Sequence, residues 1–238
     1  MKTTLNHVAY ITGGSKGIGH GIAEAIIREG GHAIITSRSR KAAEEAAEKL
    51  NALGHAGRVL GVEADVRDLE SQRQAVALGK KEFGKVDVVV ANAGIGHFAP
   101  IQEMTAEQWN ETIDINLTGV FNSVKAGLDD LIANEGYLLT IASLAGTNFF
   151  AKGSAYNASK FGLVGFSQAV MMDVRKQGVK VSTIMPGSVA THFNDNEPSA
   201  ADAWKIQPED IGRLVVDLLR MPARTLPSKV EVRPAVPK

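Results

Sequence analysis

Val8-Ala9-Tyr10-Ile11-Thr12-Gly13-Gly14-Ser15-Lys16-Gly17-Ile18-Gly19 decides the fold. Its first five residues are β-rich, its glycines permit a tight turn, and Ile18, Ile22 and Ile26 follow at the spacing of an amphipathic helix. A strand that enters a helix through a glycine turn opens a strand-helix-strand unit. Further β-rich segments alternate with helical patterns to the far end: Ala33 to Ser37, Val59 to Val62, Val86 to Ala91, Tyr137 to Ala142, Val179 to Met185 and Lys229 to Arg233. This alternation predicts an α/β fold, a doubly wound parallel sheet of about seven strands with helices on both faces. One domain, residues 1–238, accounts for the whole length, with no linker or repeat. The clearest helix carries Trp109, Ile113, Leu117, Val120, Val124, Leu128 and Leu131 as one apolar stripe facing a core. Gln207-Pro208-Glu209-Asp210 reads as the start of a late helix, with proline in the first turn and two acids near the positive end of the dipole.

Composition narrows the class of partner. The 26 basic and 26 acidic residues cancel, so the chain lacks a broad footprint for nucleic acid or for an anionic membrane. A small neutral molecule is the expected partner. There is no cysteine, which removes disulfide and thiolate chemistry. The run Met1 to His7 has no signal-peptide core and no apolar stretch reaches the ~18 residues of a membrane span, so a cytoplasmic protein is expected. Histidines 7, 20, 32, 55, 97 and 192 form no helical pair or familiar metal spacing, and no catalytic metal is expected.

The glycine turn suits a pyrophosphate. Backbone can approach closely at Gly13, Ser15, Lys16, Gly17, Ile18 and Gly19, and a helix N-terminus offers free N–H groups and partial positive charge. A flexible turn that binds nothing is the other reading. In the dinucleotide fingerprint an acidic residue about twenty positions later bonds the adenosine ribose of NAD. Here that place holds Ser37, then Arg38-Ser39-Arg40, with no acid before Glu44. Arg38 can grip a 2′-phosphate bidentately and Lys16 can add charge, which favours NADP(H) over NAD. Arg38 as a solvated loop residue remains open.

Tyr156-Asn157-Ala158-Ser159-Lys160 lies thirteen residues past Ser143. On a helix, positions four apart share a face, so the Lys160 ammonium can reach the neighbourhood of the Tyr156 phenol. A phenol ionises near pH ~10, and a neighbouring cation lowers that value toward neutrality. The same spacing also suits a packed ring and a solvated amine.

Together, Thr12-Gly-x-x-x-Gly-x-Gly19, Asn92-Ala93-Gly94, Asn116, Ser143, Tyr156-x-x-x-Lys160 and Pro186-Gly187 resemble the short-chain dehydrogenase/reductase family over nearly the entire chain. The resemblance implies a Rossmann-like sheet and an NADPH-dependent carbonyl reductase, reversible as an alcohol dehydrogenase. It implies that Tyr156 protonates the carbonyl oxygen, Ser143 bonds that oxygen, and Lys160 bonds the nicotinamide ribose and depresses the tyrosine pKa. Asn116 would hold a water linking Lys160 to solvent. Further carry-over places Asp65 and Val66 beside the adenine, Asn92, Ala93 and Gly94 along the adenosine ribose, and Pro186, Gly187, Val189 and Thr191 around the nicotinamide. A homodimer or homotetramer is implied as well, although the end of the chain, Leu226 to Pro234, lacks the Asp-Gly-Gly segment of many relatives.

Candidate pocket walls are His97 and Phe98, the stretch Thr147 to Phe150 with Phe149 and Phe150, and His192, Phe193 and Trp204. These aromatics suggest a small apolar or aromatic ketone or aldehyde. Phe149 and Phe150 could equally bury against a neighbouring subunit. The segment from Gly187 to Pro208 resembles a mobile lid. Two alternatives stand beside the reductase: a 3-oxoacyl carrier-protein reductase, against which Asp129, Asp130 and Glu135 would repel an acidic carrier, and a non-catalytic NADP-binding sensor.

Overall fold

The computed structural model describes residues 4–236; Met1 to Thr3 of the run read for an export signal, and Pro237 and Lys238 of the proline-rich tail, lie outside them. Seven strands form one sheet: β1 (Val8–Ile11), β2 (His32–Ser37), β3 (Val59–Glu63), β4 (Val88–Ala91), β5 (Tyr137–Ile141), β6 (Lys180–Pro186) and β7 (Lys229–Val232). Their order is β3-β2-β1-β4-β5-β6-β7, and each adjacent pair is parallel. The strands read from sequence agree to within two residues at each end.

The principal helices are α1 (Gly17–Arg28), α2 (Arg40–Asn51), α3 (Leu69–Phe83), α4 (Ala106–Ile113), α5 (Gly119–Ala133), α6 (Ser154–Val174) and α7 (Pro208–Leu219). Strand side chains alternate between the two faces, so each face of the sheet has its own core. Ala9, Ile11, Ile35, Leu139 and Ile184 meet α1, α2 and α7 on one side. Tyr10, Ile34, Val89 and Leu138 meet α3, α5 and α6 on the other. Each wholly buried Ile or Leu contributes about 1.5–3 kcal/mol relative to exposure. The start of α7 is as its residues predict: Pro208 opens it and the Gln207 N–H donates to the Asp210 carboxylate at 2.9 Å.

The Trp109-to-Leu131 stripe does not lie on one continuous α-helix. Residues Asp114–Thr118 form a π-helical turn between α4 and α5. An i→i+5 turn adds one residue, which rotates everything before it relative to everything after. Val120, Val124 and Leu131 therefore face the core, whereas Trp109 is 38% exposed.

The chain winds outward in opposite directions from β1 and from β4, so the loops after these two neighbouring strands diverge. A crevice opens at their carboxyl ends, where doubly wound sheets bind ligands.

Candidate active site

That crevice is a cleft of about 940 Å³, near the top of the range of roughly 300–1,000 Å³ usual for ligand pockets. One end is the glycine turn, where Gly13, Ser15, Lys16, Gly17 and Ile18 line the cleft. Gly13 and Gly17 hold φ +64° and +59°, the left-handed region in which a side chain is strained. A Cβ on Gly13 would also stand 2.9 Å from Ala93 Cα. The turn is braced from β4: Asn92 Nδ2 donates to the carbonyls of Thr12 (2.8 Å) and Gly13 (3.2 Å), and Thr12 Oγ1 accepts from the N–H groups of Asn92 and Ala93. Lys16 is the N-cap of α1 and supplies no side-chain hydrogen bond to its first turn. The first N–H groups of α1 thus meet the cleft without a protein cap, a cradle that fits a pyrophosphate. Gly19 does not line the cleft; it is buried, and a Cβ there would meet Asn92 Nδ2 at 2.6 Å.

At the end of β2, Ser37 and exposed Arg38 line the cleft, while Ser39 does not: its hydroxyl caps α2 by accepting from the Ala42 N–H at 3.3 Å. The neighbouring cations are committed, Arg40 to Glu63 at 3.3 Å and Arg67 to Asp65 at 2.5 Å. The Arg67 hydrogen bonds hold the Asp65 carboxyl below its ordinary range, with a smaller contribution from Arg38. Asp65, Val66, Asn92, Ala93 and Gly94 all line this side.

Elsewhere the cleft gathers Ser143, Tyr156 and Lys160 with Pro186, Gly187 and Val189, while Thr191 reaches the glycine turn, 3.3 Å from where a Cβ on Gly17 would stand. Ser143 follows β5 in extended conformation; its Oγ accepts from the Ala145 N–H at 3.1 Å and donates to the Pro186 carbonyl at 3.4 Å, with the Tyr156 phenol close enough to feel it. Asn157, one residue past Tyr156, clamps the segment after Ser143 by donating to the carbonyls of Ala145 (2.7 Å) and Asn148 (2.8 Å). Lys160 is buried, its Nζ donating to the Ile141 carbonyl at 3.0 Å and lying 5.7 Å from the centre of the Tyr156 ring.

The electrostatics differ from the sequence expectation. Burial raises the Tyr156 pKa, with the nearby Ser143 hydroxyl as the opposing influence, and burial pushes Lys160 down to about 8. The lysine does not bring the phenol toward neutrality in the protein alone, because loss of water outweighs a cation turned toward a backbone carbonyl.

Asn116 lies outside the cleft, wholly buried in the π-helical turn. Its Oδ1 accepts from the Ile95 N–H at 2.8 Å, and its Nδ2 donates to the Ile95 carbonyl (2.9 Å) and to Ser159 Oγ (3.0 Å). It ties the loop after β4 to α6. A Cβ on Gly94 would lie 3.2 Å from Asn116 Oδ1 and 3.6 Å from Lys160 Nζ, so only a glycine passes easily between them.

Among the expected walls, His97, His192 and Phe193 line the cleft. Phe98 stands behind it, its ring 5.4 Å from Tyr156 and 6.3 Å from Phe193, which in turn lies 5.6 Å from Tyr156. Phe149 and Phe150 are not cleft walls. Phe149 is 87% exposed, and Phe150 packs against the far side of Phe98 at 5.8 Å, because the loop after Ser143 turns outward. Trp204 also lies off the cleft, under the Lys205 ammonium. Asn194 and Asn196, from the segment read as a lid, also line the cleft, and sequence reasoning missed Glu111 and did not single out Lys205. Glu111 pairs with His97 at 2.8 Å across fourteen residues, a contact without a motif. Among the described residues no three His, Asp or Glu side chains gather in a metal-binding group, and no helix is long and apolar enough to cross a membrane.

A family model described as short chain dehydrogenase matches residues 7–202. The oxidoreductase UcpA of Salmonella typhimurium is 34% identical over 98% of this chain and 86% of its own. The glycine betaine reductase ATRR of Emericella nidulans is 31% identical over 95% of this chain, which spans 18% of that protein's length. Among solved structures, an alcohol dehydrogenase from the archaeon Thermococcus sibiricus, complexed with 5-hydroxy-NADP, superposes with a TM-score of 0.91 at 30% identity, covering 98% of this chain and 99% of the other.

Proposed function

Because the chain belongs to the short-chain dehydrogenase family of oxidoreductases, we propose that it is an NADPH-dependent carbonyl reductase, reversible as an alcohol dehydrogenase. The observation that carries this reading is that Ser143, Tyr156 and Lys160 line one end of a cleft whose other end is an uncapped helix N-terminus behind a glycine turn.

The nicotinamide, when bound, supplies the hydride. Tyr156 is the acid that delivers a proton to the carbonyl oxygen, and its raised pKa keeps it protonated for that task at neutral pH. The Ser143 hydroxyl, beside the phenol and now donating only a long bond to the Pro186 carbonyl at 3.4 Å, orients the same oxygen and steadies its growing negative charge. Lys160, now bonded to the Ile141 carbonyl, would hold the ribose hydroxyls of a bound nucleotide and bring positive charge to the tyrosinate left behind. Asn116 holds the loop after β4 against α6. The family's proton path through an Asn116-bound water remains part of this proposal.

NADP(H) is the proposed cofactor because Arg38 faces the cleft beside a serine, where an acidic residue would repel a 2′-phosphate. The T. sibiricus enzyme, solved with an NADP analogue, supports the same choice. Phe193 and Phe98 around Tyr156 favour an apolar or aromatic ketone or aldehyde. A homodimer or homotetramer is proposed, one interface of which covers the exposed groove of Leu117, Phe121 and Phe166, and light scattering on Phe121→Asp, expected to give a smaller species, tests it.

NADPH oxidation against ketones, aldehydes, quinones and acyl thioesters, the last with and without carrier protein, tests the function. Turnover of aryl ketones or aldehydes is the expected result. Turnover confined to carrier-bound thioesters, or none with any carbonyl, would contradict it.

A further inference from the structure

A group of polar side chains lies inside the core, away from the chemistry, and converges on one carbonyl. Gln72 of α3 is fully buried, Asn122 of α5 is 7% exposed, and both donate to the Val66 carbonyl at 2.9 Å. Asn122 Nδ2 also reaches the Arg67 carbonyl at 3.1 Å. A carbonyl oxygen has two lone pairs, so two donors from two helices saturate this one and fix the plane of the peptide that follows. The Val66 side chain is fixed as well, since a Cβ on Gly119 of α5 would meet Val66 Cγ2 at 2.7 Å.

The Gln72 amide is held in one orientation by its surroundings. Nε2 faces the Val66 and Gly119 carbonyls, and Oε1 faces two hydroxyls, Ser123 Oγ at 2.8 Å and Tyr10 Oη at 3.3 Å. Turned over, it would set oxygen against two carbonyls. A buried amide is tolerated only when it is satisfied like this. What it reaches is the loop after β3, and Asp65 and Val66 of that loop line the cleft on the Arg38 side.

We propose that Gln72 is a positioning residue for the adenosine half of the nucleotide: with Asn122 it presents the Asp65–Val66 wall to the adenine. The proposal rests on the nucleotide reading of the cleft given above. Gln72 is specific in its effect, acting on cofactor affinity and leaving the reacting end alone, because Ser143, Tyr156 and Lys160 are held by separate hydrogen bonds on β5 and α6.

The test is Gln72→Met in the full-length protein, titrated with NADPH and with adenosine 2′,5′-bisphosphate, alongside kcat at saturating NADPH. Both affinities are expected to weaken about tenfold, the ordinary consequence of losing one hydrogen bond to a positioned group, with kcat within about twofold. Tyr10→Phe is the matched control. It removes a hydroxyl from the same amide but leaves both donors on Val66, so melting temperature is expected to fall while both affinities hold. Wild-type affinity for adenosine 2′,5′-bisphosphate in Gln72→Met, or equal weakening in Tyr10→Phe, would overturn the proposal and leave the nucleotide reading intact. A wild-type protein that binds neither ligand would overturn both. Should Gln72→Met fail to fold, Asn122→Ala removes the other donor and is judged by the same outcomes.

Discussion

Lys160 Nζ lies 5.7 Å from the centre of the Tyr156 ring, yet its hydrogen bond goes to the Ile141 carbonyl at 3.0 Å. Both groups are pushed by burial toward their neutral forms, the phenol upward and the amine down to about 8. In the proposed mechanism carbonyl reduction uses the protonated phenol, so its kcat/KM is expected to stay level through neutral pH and fall in the alkaline range. Alcohol oxidation needs the tyrosinate and is expected to rise over the same range. Parallel profiles in the two directions would show that Tyr156 does not carry the proton.

The lysine also makes a prediction about stability. Its folded pKa of about 8 lies below the ordinary 10.5, so between these values the unfolded chain binds more protons than the folded one. Stability from this group therefore rises with pH across that window, and the cost of burying the charge is complete below it. Melting temperatures of wild type and Lys160→Met, compared across the window, should shift in favour of wild type as pH rises. A constant difference would contradict the shift.

Arg38→Ala separates the two nucleotides. Loss of a charge-assisted contact to a 2′-phosphate is expected to weaken NADPH binding about ten- to hundredfold, and NADH binding should change less than about twofold. Equal losses, measured by fluorescence titration, would mean that no phosphate is read at that position.

Asn116→Leu leaves the Ile95 N–H, the Ile95 carbonyl and Ser159 Oγ each short of a partner in the interior. A cost of about 3 kcal/mol or more follows, seen as a melting temperature lower by roughly 6–12 °C. An unchanged melt would show that the loop after β4 is held by other contacts.

Phe193 packs at 5.6 Å from the Tyr156 ring and is 37% exposed. Phe193→Ala is expected to raise KM for an aryl ketone roughly three- to tenfold, the value of one aromatic contact, with a smaller change for a short aliphatic ketone. Equal effects on both would argue against an aromatic subsite.

The sheet was legible because its signals are local: strand-like runs, a glycine turn and helical spacing recur in chain order. The cleft residues that belong to motifs were legible for the same reason, from Gly13 to Thr191. What sequence did not disclose depends on geometry between distant residues. The π-helical turn at Asp114–Thr118 keeps helical spacing on both sides and betrays itself only by the rotation that exposes Trp109. Phe149 and Phe150 read as pocket walls because aromatics follow Ser143, but the direction of that loop is set by Asn157 from the next helix. The Tyr156 ionisation was misjudged for a related reason: spacing reports that a lysine is near, and says nothing of the water both groups lose.

Tyr156→Phe tests the central claim most directly. The variant keeps the ring and its packing against Phe98 and Phe193, and loses only the phenolic hydroxyl. With a carbonyl substrate turned over by the wild type, kcat is expected to fall by about a thousandfold or more while the NADPH dissociation constant stays within about twofold. A variant that reduces the carbonyl at the wild-type rate would contradict the assignment of the acid and the mechanism built on it.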